Sequence, residues 1–436
     1  MDKLLEVREF DYIIGNADYK GYDNYKYLES KAFNGLGDFI HEFAGDDDNS
    51  DVLEFMRIGY KRNIGDVISI RNYVGLIQMK NGFQVQVLPK IDFGKQDDGN
   101  VETKKVFLKM LRSMKNFPSK VFNVASLKVD KMNLYEIFIN MYLQEVRHLV
   151  KRGIRSNYVL QEENLKFYKG KLLVNEHIKA NLAHKERFYV SYEEFHPNGP
   201  ENRIVKATLE KLQKLTGSAE NSKEIRQLLT AFELVDSSTN YDKDFSKVVI
   251  NRNTKDYEML MQWSKVFLMN KSFTTFTGTT NSRALLFPME SVYESYIAQQ
   301  MKRVFCPAGW DVSSQDKGHY LFTEPKSLFA LRPDIVIKKD GYTVILDTKW
   351  KRLHNNERNN YGISQTDMYQ MYAYSKKYKT PDVWLLYPMN EDMRNHASIE
   401  FYSGDEDNTC VRVFFVDVAH IEESLDDLKE RIEALN

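Results

Sequence analysis

The spacing of apolar residues changes twice along the chain. Residues 67–91 alternate apolar and polar positions in two runs that meet at Asn81-Gly82. Such alternation is typical of half-buried strands, and Asn-Gly is the strongest short signal for a hairpin turn. From about residue 103, apolar residues recur every three or four positions, which predicts helices. The predicted helices cover 104–117, 132–153, 202–217, 224–235 and 256–270, and residues 156–195 between them look extended.

The pattern changes again after a Thr/Gly-rich linker at 273–282. It predicts, in order, a helix, three strands, a second helix and a short buried strand. These elements fall at 285–305, within 320–351 with a turn at Asp340-Gly341, at 363–378 and at 383–389. We therefore expect an α/β multidomain protein. Its expected parts are a β-rich mixed N-terminal domain over 1–104, a mainly helical middle domain over 105–275 and an α/β C-terminal domain over 276–436.

The composition predicts a globular, cytoplasmic protein without a membrane span. Of the 436 residues, 42% are hydrophobic and 13% aromatic, which are globular values. The two cysteines lie far apart without a CxxC pair, as expected in a reducing cytosol. No apolar run approaches the roughly 18 residues of a membrane helix. The GxxxxGK[ST] motif is absent, so we expect the chain itself to bind no nucleotide.

The charge balance gives no global signal for nucleic-acid binding, since the net charge is −1. Any such binding would depend on a local cluster of positive charge. Residues 151–187 are locally basic and would suit phosphate contacts. A lysine-rich solvated surface is the alternative interpretation.

Two acidic residues stand near the ends of otherwise apolar strands in the stretch LRPDIVIKKDGYTVILDTKWK, 331–351. Asp334 and Asp347 lie on neighbouring strands of a hairpin-like pair, where two close carboxylates repel each other. A divalent cation would relieve this repulsion, and oxygen ligands favour Mg²⁺, with Mn²⁺ as an alternative. Lys349 alternates with Asp347, so both point to one face, and the Thr348 carbonyl offers a further ligand. A structural ion pair at a strand edge is the alternative.

The same stretch resembles the PD-(D/E)xK nuclease core. RPD and LDTKWK, with LFPMESVYESYIA before them and DMYQMYAYS after them, resemble the McrC family, the nuclease subunits of McrBC-type, 5-methylcytosine-specific restriction systems. Residues 158–209 resemble the middle region of that family, and the N-terminal part agrees only in general character. The resemblance spans roughly 150–390. It implies that the C-terminal domain has the PD-(D/E)xK fold.

The resemblance also implies roles for single residues. It assigns the two metal-binding acids and the catalytic lysine to Asp334, Asp347 and Lys349. The pair Tyr293-Glu294 matches a Phe-Glu pair on the preceding helix, which makes Glu294 a further catalytic and metal-binding acid. Glu290, one turn earlier, competes for that role. A solvated helix face is the alternative for both glutamates.

Two further groups of residues flank this predicted site. Gln370 and Tyr374 resemble the Q-x3-Y element of related nucleases, which would support the lysine or bind a backbone phosphate. A buried polar contact between helix and sheet is the alternative. Trp350, Lys351 and Arg352 are candidates for DNA contacts, through phosphate binding or through stacking on a sugar or base. An ordinary surface strand end is the alternative.

The function implied by the resemblance is Mg²⁺-dependent endonuclease activity on double-stranded DNA in restriction of foreign DNA. The partner implied is a McrB-like AAA+ GTPase hexamer, whose GTP hydrolysis the chain would stimulate. The N-terminal part, including 67–91, would enter the partner ring. A stand-alone repair or recombination nuclease and a non-catalytic regulatory subunit of an NTPase are the alternatives. The set of Asp334, Asp347 and Lys349 argues against the last.

Overall fold

The computed structural model describes residues 4–22, 25–44, 56–79, 83–91, 100–114, 117, 132–252, 254–269, 283–396, 398–404 and 408–435. The predicted turn at Asn81-Gly82 and the predicted linker at 273–282 lie outside these residues. The chain forms two compact units, one of Met1–Phe117 with Gly278–Asn436 and one of Pro118–Thr277. The predicted segments 1–104 and 276–436 thus fall within the same unit, which the chain leaves and re-enters.

The N-terminal part of the first unit contains two four-stranded sheets. The first has the order β1-β7-β6-β11, with β1 Leu4–Arg8, β6 Tyr73–Gln78, β7 Gln84–Leu88 and β11 Arg283–Pro288. The second has the order β3-β2-β5-β4, with β2 Tyr12–Ile14, β3 Tyr25–Tyr27, β4 Met56–Lys61 and β5 Gly65–Ile70. β6 and β7 pair antiparallel as the alternation over 67–91 predicts. The start of that stretch belongs to β5 in the other sheet, because the chain bends at Asn72, whose φ is 60°.

Two helices accompany these sheets, α1 Ser30–Ala44 and α2 Asn100–Leu111. Helix α2 is shorter than the predicted helix over 104–117. It packs against β7 and against the first helix of the C-terminal part. It therefore belongs to the first unit, although the sequence pattern placed it at the start of the middle segment.

The prediction of one helix over 285–305 was wrong at its start. Residues Arg283–Pro288 form β11, which pairs antiparallel with β6, and helix α9 begins only at Met289. A short apolar run such as LLF does not distinguish strand from helix by its period. Pro288 stands at the N-cap of α9, where a missing backbone N–H costs little. The tertiary pairing with β6 decides the structure of this segment.

The second unit contains most of the predicted helices and one small sheet. Its helices are α3 Leu134–Arg152, α4 Val174–Asn181, α5 Pro200–Leu215, α6 Ala219–Leu229, α7 Tyr241–Lys247 and α8 Glu258–Met269. The Asn133 side chain caps α3, and Gly153, with φ 92°, follows its last turn as predicted. The sheet has the order β8-β10-β9, with β8 Asn157–Leu165, β9 Lys171–Leu172 and β10 Phe188–His196. Helix α4 lies within the stretch that was predicted to be extended.

The C-terminal part of the first unit is a six-stranded mixed sheet with helices. The sheet order is β12-β15-β16-β17-β19-β18, with β12 Asp311–Ser314, β15 Ile335–Lys339, β16 Tyr342–Thr348, β17 Asp382–Pro388, β18 Ile399–Tyr402 and β19 Cys410–Val416. The helices are α9 Met289–Phe305, α10 Gln365–Tyr378 and α11 Ile421–Glu433. β12, β15 and β16 are antiparallel, whereas β16, β17 and β19 run parallel.

The predicted order of helix, three strands, helix and strand is present as α9-β12-β15-β16-α10-β17. The first of the three sheet strands is β12, before the stretch in which it was expected. Residues from that stretch instead form a separate strand pair, β13 Tyr320–Phe322 with β14 Leu328–Ala330. The turn at Asp340-Gly341 joins β15 to β16 as predicted, with positive φ at both residues.

The hydrophobic core under helix α10 positions the functional face of this sheet. Met371 and Tyr374 of α10 pack in one buried cluster with Val336 and Ile345 of the sheet. Since side chains alternate along a strand, Asp347 lies on the same face of β16 as Ile345. Among the described residues, no helix combines the length and the apolar character needed to cross a bilayer.

Candidate active site

The hairpin of β15 and β16 brings Asp334 opposite Asp347. Ile335 pairs with Leu346 in this antiparallel register, and the next position outward places the two aspartates across from each other. The carboxylate Oδ2 of Asp334 accepts a hydrogen bond of 2.7 Å from the Thr348 backbone N–H and one of 2.6 Å from the Thr348 hydroxyl. The orientation of Asp334 is therefore set by the residue that follows Asp347.

Lys349 lies between three polar side chains. Its Nζ is 2.5 Å from Asp347 Oδ2 and 4.0 Å from Asp367 Oδ1. It also donates a hydrogen bond of 3.2 Å to Gln370 Oε1. The ammonium group is thus held on the side of the sheet covered by α10, beside the aspartate pair.

Burial dominates the electrostatics of the two aspartates. Loss of solvent, together with the neighbouring Asp334, raises the pKa of Asp347 to about 7. Burial also raises the pKa of Asp334, although the hydrogen bonds from Thr348 oppose that rise. Burial alone would lower the pKa of Lys349, but Asp347, Asp367 and Asp334 together raise it. Lys349 is therefore a stable ammonium, whereas the aspartate pair ionises with difficulty unless a further positive charge is present.

The donor set fits a hard divalent cation that retains water ligands. Among the residues that the structure describes, no group of three or more His, Cys, Asp or Glu side chains forms a closed metal cage. The aspartate pair supplies two carboxylates in a largely buried position, and Asp347 Oδ2 is inaccessible to solvent. Mg²⁺ is commonly bound through one or two carboxylates, with waters completing its coordination. Burial raises the pKa values of both aspartates, so two ionised carboxylates at this position need a nearby cation to offset their charge.

The two glutamates of helix α9 differ in their surroundings. Glu294 is partly buried, and its Oε1 accepts a hydrogen bond of 2.8 Å from Gln315 Nε2. Burial and the negative charge of Asp334 raise the pKa of Glu294, so the two acids interact electrostatically. Glu290 is exposed to solvent. Glu294 is therefore the better candidate, although it forms no closed cluster with the aspartates among the described residues.

Gln370 and Tyr374 form a chain of hydrogen bonds that ends at the lysine. Gln370 Nε2 donates to the Tyr374 hydroxyl at 2.8 Å, while Oε1 of the same amide accepts from Lys349. Tyr374 is buried in the core under α10. The four-residue spacing thus places both side chains on one face of α10, with the Gln370 amide toward Lys349 and the Tyr374 ring in the core.

Asp367 is a site residue that the sequence analysis missed. It is buried, and its Oδ2 is 3.0 Å from Lys351 Nζ, while its Oδ1 faces Lys349. Its position follows from the N-terminus of α10, where the Ser364 hydroxyl accepts a hydrogen bond from the Asp367 backbone N–H. The spacing Ser-x-x-Asp before an apolar run is a capping signal. It predicts the helix start but not the contact with two lysines.

The residues after Lys349 differ in their surroundings. The Lys351 ammonium is paired with Asp367, and Arg352 is half-buried. Trp350 is only 3% exposed, so stacking of Trp350 on a sugar or base, which the sequence suggested, is wrong. Its ring packs 5.2 Å from that of Tyr293, and its indole Nε1 donates to Glu9. No local signal in the sequence predicts that contact.

Comparison with known proteins gives a family and a fold. The family described as McrBC 5-methylcytosine restriction system component matches residues 68–388. No curated protein matches the chain. Among solved structures, the chain resembles one in a refined half-complex from the tetradecameric assembly of Thermococcus gammatolerans McrB AAA+ hexamers with bound McrC. The TM-score is 0.69 at 19% identity, over 98% of this chain and 100% of that chain.

A second solved structure is the cryo-EM structure of the Thermococcus gammatolerans McrBC complex, with a TM-score of 0.48 and 21% identity over 69% of this chain and 88% of that chain. The family match covers well over half of the sequence and agrees with the resemblance found in the nuclease motifs. The chain belongs to the McrBC 5-methylcytosine restriction system component family.

Proposed function

We propose that the chain is the McrC-type nuclease subunit of an McrBC system, a Mg²⁺-dependent endonuclease for double-stranded DNA with a PD-(D/E)xK core. The observation that carries the proposal is the juxtaposition of Asp334, Asp347 and Lys349 at one end of the β15–β16 hairpin. A purely structural ion pair would need one carboxylate for one ammonium. The second buried aspartate is in excess of that need and calls for another cation.

In the proposed reaction, a water attacks a backbone phosphorus and loses a proton to solvent, while the bond from phosphorus to the 3′ oxygen breaks and that oxygen takes a proton from solvent. Asp334, held by Thr348, and Asp347 would hold Mg²⁺, with the Thr348 carbonyl and Glu294 as further candidates. Bound Mg²⁺ would lower the pKa of its water and offset negative charge on the phosphate. Lys349 is held as an ammonium by its acidic neighbours, so it orients the water and stabilises phosphate charge rather than accepting a proton.

Gln370 and Tyr374 would fix the position of Lys349 through their hydrogen bonds. Lys351 and Arg352 remain candidates for phosphate contacts. For Lys351, this role requires DNA to compete with Asp367 for the ammonium group. The two proposed contacts would position the backbone beside the reacting phosphate.

We propose a McrB-type AAA+ hexamer as the partner of this chain. A structure of similar fold contains McrB hexamers with bound McrC, and this sequence has no P-loop of its own. The second unit exposes several large apolar side chains on its sheet, where Tyr158, Leu160 and Phe195 are 72%, 61% and 64% exposed. β6 and β7 of the first unit are instead mostly buried. This exposed apolar face is therefore a better partner surface than the 67–91 hairpin.

The test is plasmid cleavage with Mg²⁺, using wild type and Asp347→Ala, with and without a McrB-type partner and GTP. Cleavage that requires partner and GTP and disappears in the variant supports the proposal. Cleavage by wild type alone would indicate a stand-alone nuclease. Absence of cleavage under all conditions, with equal stimulation of GTP hydrolysis by both proteins, would indicate a regulatory subunit.

A further inference from the structure

The backbone turns directly after the active-site lysine, and Trp350 is the middle residue of that turn. The Lys351 N–H donates to the Lys349 carbonyl at 3.0 Å, while the Lys349 N–H still donates to the Leu386 carbonyl of β17 at 3.0 Å. Trp350 is buried against Tyr293 of α9. The placement of the Trp350 ring therefore affects the backbone from which the Lys349 side chain projects.

Glu9, from the start of the chain, holds the indole of Trp350. Trp350 Nε1 lies 2.9 Å from Glu9 Oε2 and 3.2 Å from Glu9 Oε1, so it donates to the carboxyl group. The Glu9 N–H donates to the Leu88 carbonyl at 2.9 Å, and the next N–H, of Phe10, donates to the Ile70 carbonyl at 3.0 Å. Leu88 and Ile70 end strands of different sheets. Glu9 therefore lies at the junction of both N-terminal sheets.

An acidic side chain at this position carries a cost in stability. Glu9 is 0% exposed, and its side-chain donor, an indole N–H, is uncharged. Burial raises the pKa of Glu9 to about 8, although the hydrogen bonds from Trp350 and from the Lys90 backbone oppose that rise. A buried apolar side chain would avoid this desolvation. A role beyond packing would account for the acid, and Trp350 is the side chain to which it is bound.

We propose that Glu9 is a positioning residue for DNA cleavage, which acts through Trp350 to hold Lys349 beside Asp347. This inference rests on the proposed nuclease function. It means that the N-terminal sheets, through Glu9, help to hold the active-site lysine in place. Glu9 is fully buried, so it does not touch the substrate itself. Its effect is on the geometry of the ammonium group, so it concerns the rate of cleavage and not the affinity for DNA.

The experiment measures single-turnover plasmid cleavage by the full chain, under the conditions in which wild type cleaves, with rates scaled to the folded fraction from thermal melts. The variants are Glu9→Leu, Trp350→Phe, their double variant and the conservative Glu9→Gln. DNA affinity is measured separately by fluorescence anisotropy. Glu6→Leu is the control, because Glu6 is a nearby, partly buried acid on β1 that pairs with Lys104 instead of Trp350.

We expect Glu9→Leu and Trp350→Phe each to slow cleavage by about tenfold with unchanged DNA affinity. The double variant should be no slower than the slower single variant, since both remove the same contact. Glu9→Gln keeps an acceptor for the indole and should recover most of the rate, while Glu6→Leu should cleave like wild type.

Wild-type rates for Glu9→Leu, equal slowing by Glu6→Leu, or multiplicative effects in the double variant would each overturn the inference. If Glu9→Leu does not fold, Trp350→Phe and Glu9→Gln carry the test. Failure of the proposed function is distinguished by wild type itself. In that case wild type does not cleave, or Asp347→Ala cleaves equally well, whatever the Glu9 variants do.

Discussion

Asp334 receives both hydrogen-bond donors of Thr348, the backbone N–H at 2.7 Å and the hydroxyl at 2.6 Å. The residue between Asp347 and Lys349 thus orients the carboxylate on the opposite strand. This relationship links the two halves of the proposed metal site through one side chain. It also gives the first test of how closely the aspartates must be oriented.

We expect Thr348→Val to raise the Mg²⁺ concentration that cleavage requires, without unfolding the protein. Valine keeps the shape and removes the hydroxyl, so Asp334 retains only the backbone donor. Loss of one hydrogen bond to a carboxylate corresponds to about 1.5–3 kcal/mol, and we expect cleavage to require about tenfold more Mg²⁺. The measurement is the cleavage rate against Mg²⁺ concentration. Thr343→Val, earlier on β16, is the control and should leave that curve in place.

Asp367→Asn should reduce the cleavage rate by several fold and lower the pKa of Lys349. The amide keeps the size of the side chain but removes one of the negative charges that raise that pKa. The rate should therefore begin to fall at a lower alkaline pH than in wild type. Lys351→Met separates the two contacts of Asp367, since it should weaken DNA binding with little change in that pH profile. An unchanged profile in Asp367→Asn would contradict the assignment.

The stability of the protein should depend on pH through Glu9. The folded pKa of about 8 exceeds the ordinary value of 4.5, so the folded state binds the proton more tightly than the unfolded state. The Glu9 contribution to stability is therefore complete below about pH 4.5 and is lost as pH rises to about 8. Glutamine does not titrate. As pH rises from about 4.5 to about 8, the free energy of unfolding of Glu9→Gln should therefore increase by about 3–5 kcal/mol relative to that of wild type. Denaturant unfolding at several pH values measures this difference, and parallel curves would contradict it.

The exposed apolar face of the second unit should bind the AAA+ partner. Leu160→Asp and Phe195→Asp place charges on that face, where wild type exposes apolar surface, and should abolish stimulation of GTP hydrolysis. Both side chains are exposed, so the melting temperature should change little. Val249→Asp is the control, because Val249 is 65% exposed but lies outside the sheet. If both sheet variants still stimulate GTP hydrolysis, the prediction is wrong and the N-terminal strands become the candidate partner surface.

Strongly periodic elements and the hairpin were predictable from the sequence. The 3.6-residue pattern over 132–153 corresponds to α3 with its glycine end, and Asp340-Gly341 set the register that brings Asp334 and Asp347 together. A single local hairpin thus gave the central pair of the site. In contrast, β11 is determined by pairing with β6, and helix α4 is a short segment in which local pattern is weak.

The missed site residues illustrate the same limit. Asp367 reads as an ordinary acid in the first turn of a helix, and its contact with Lys349 arises only when α10 packs on β16. Glu9 reads as one charge in a charged N-terminus, yet it is among the least exposed residues of the protein. Its partner is more than three hundred positions away in sequence. Such long-range contacts leave no periodic trace.

The path of the chain through β11 has a consequence for dissection of the protein. A fragment ending before residue 283 would lose the strand that covers β6, leaving an unpaired edge of apolar residues prone to aggregation. A C-terminal fragment beginning near 276 would carry the same strand without its neighbour. The second unit, by contrast, is one continuous segment of the chain, Pro118–Thr277. Excision of that segment with a short bridging peptide therefore keeps the N-terminal sheets and the C-terminal sheet together, whereas cutting the chain at either predicted domain border does not.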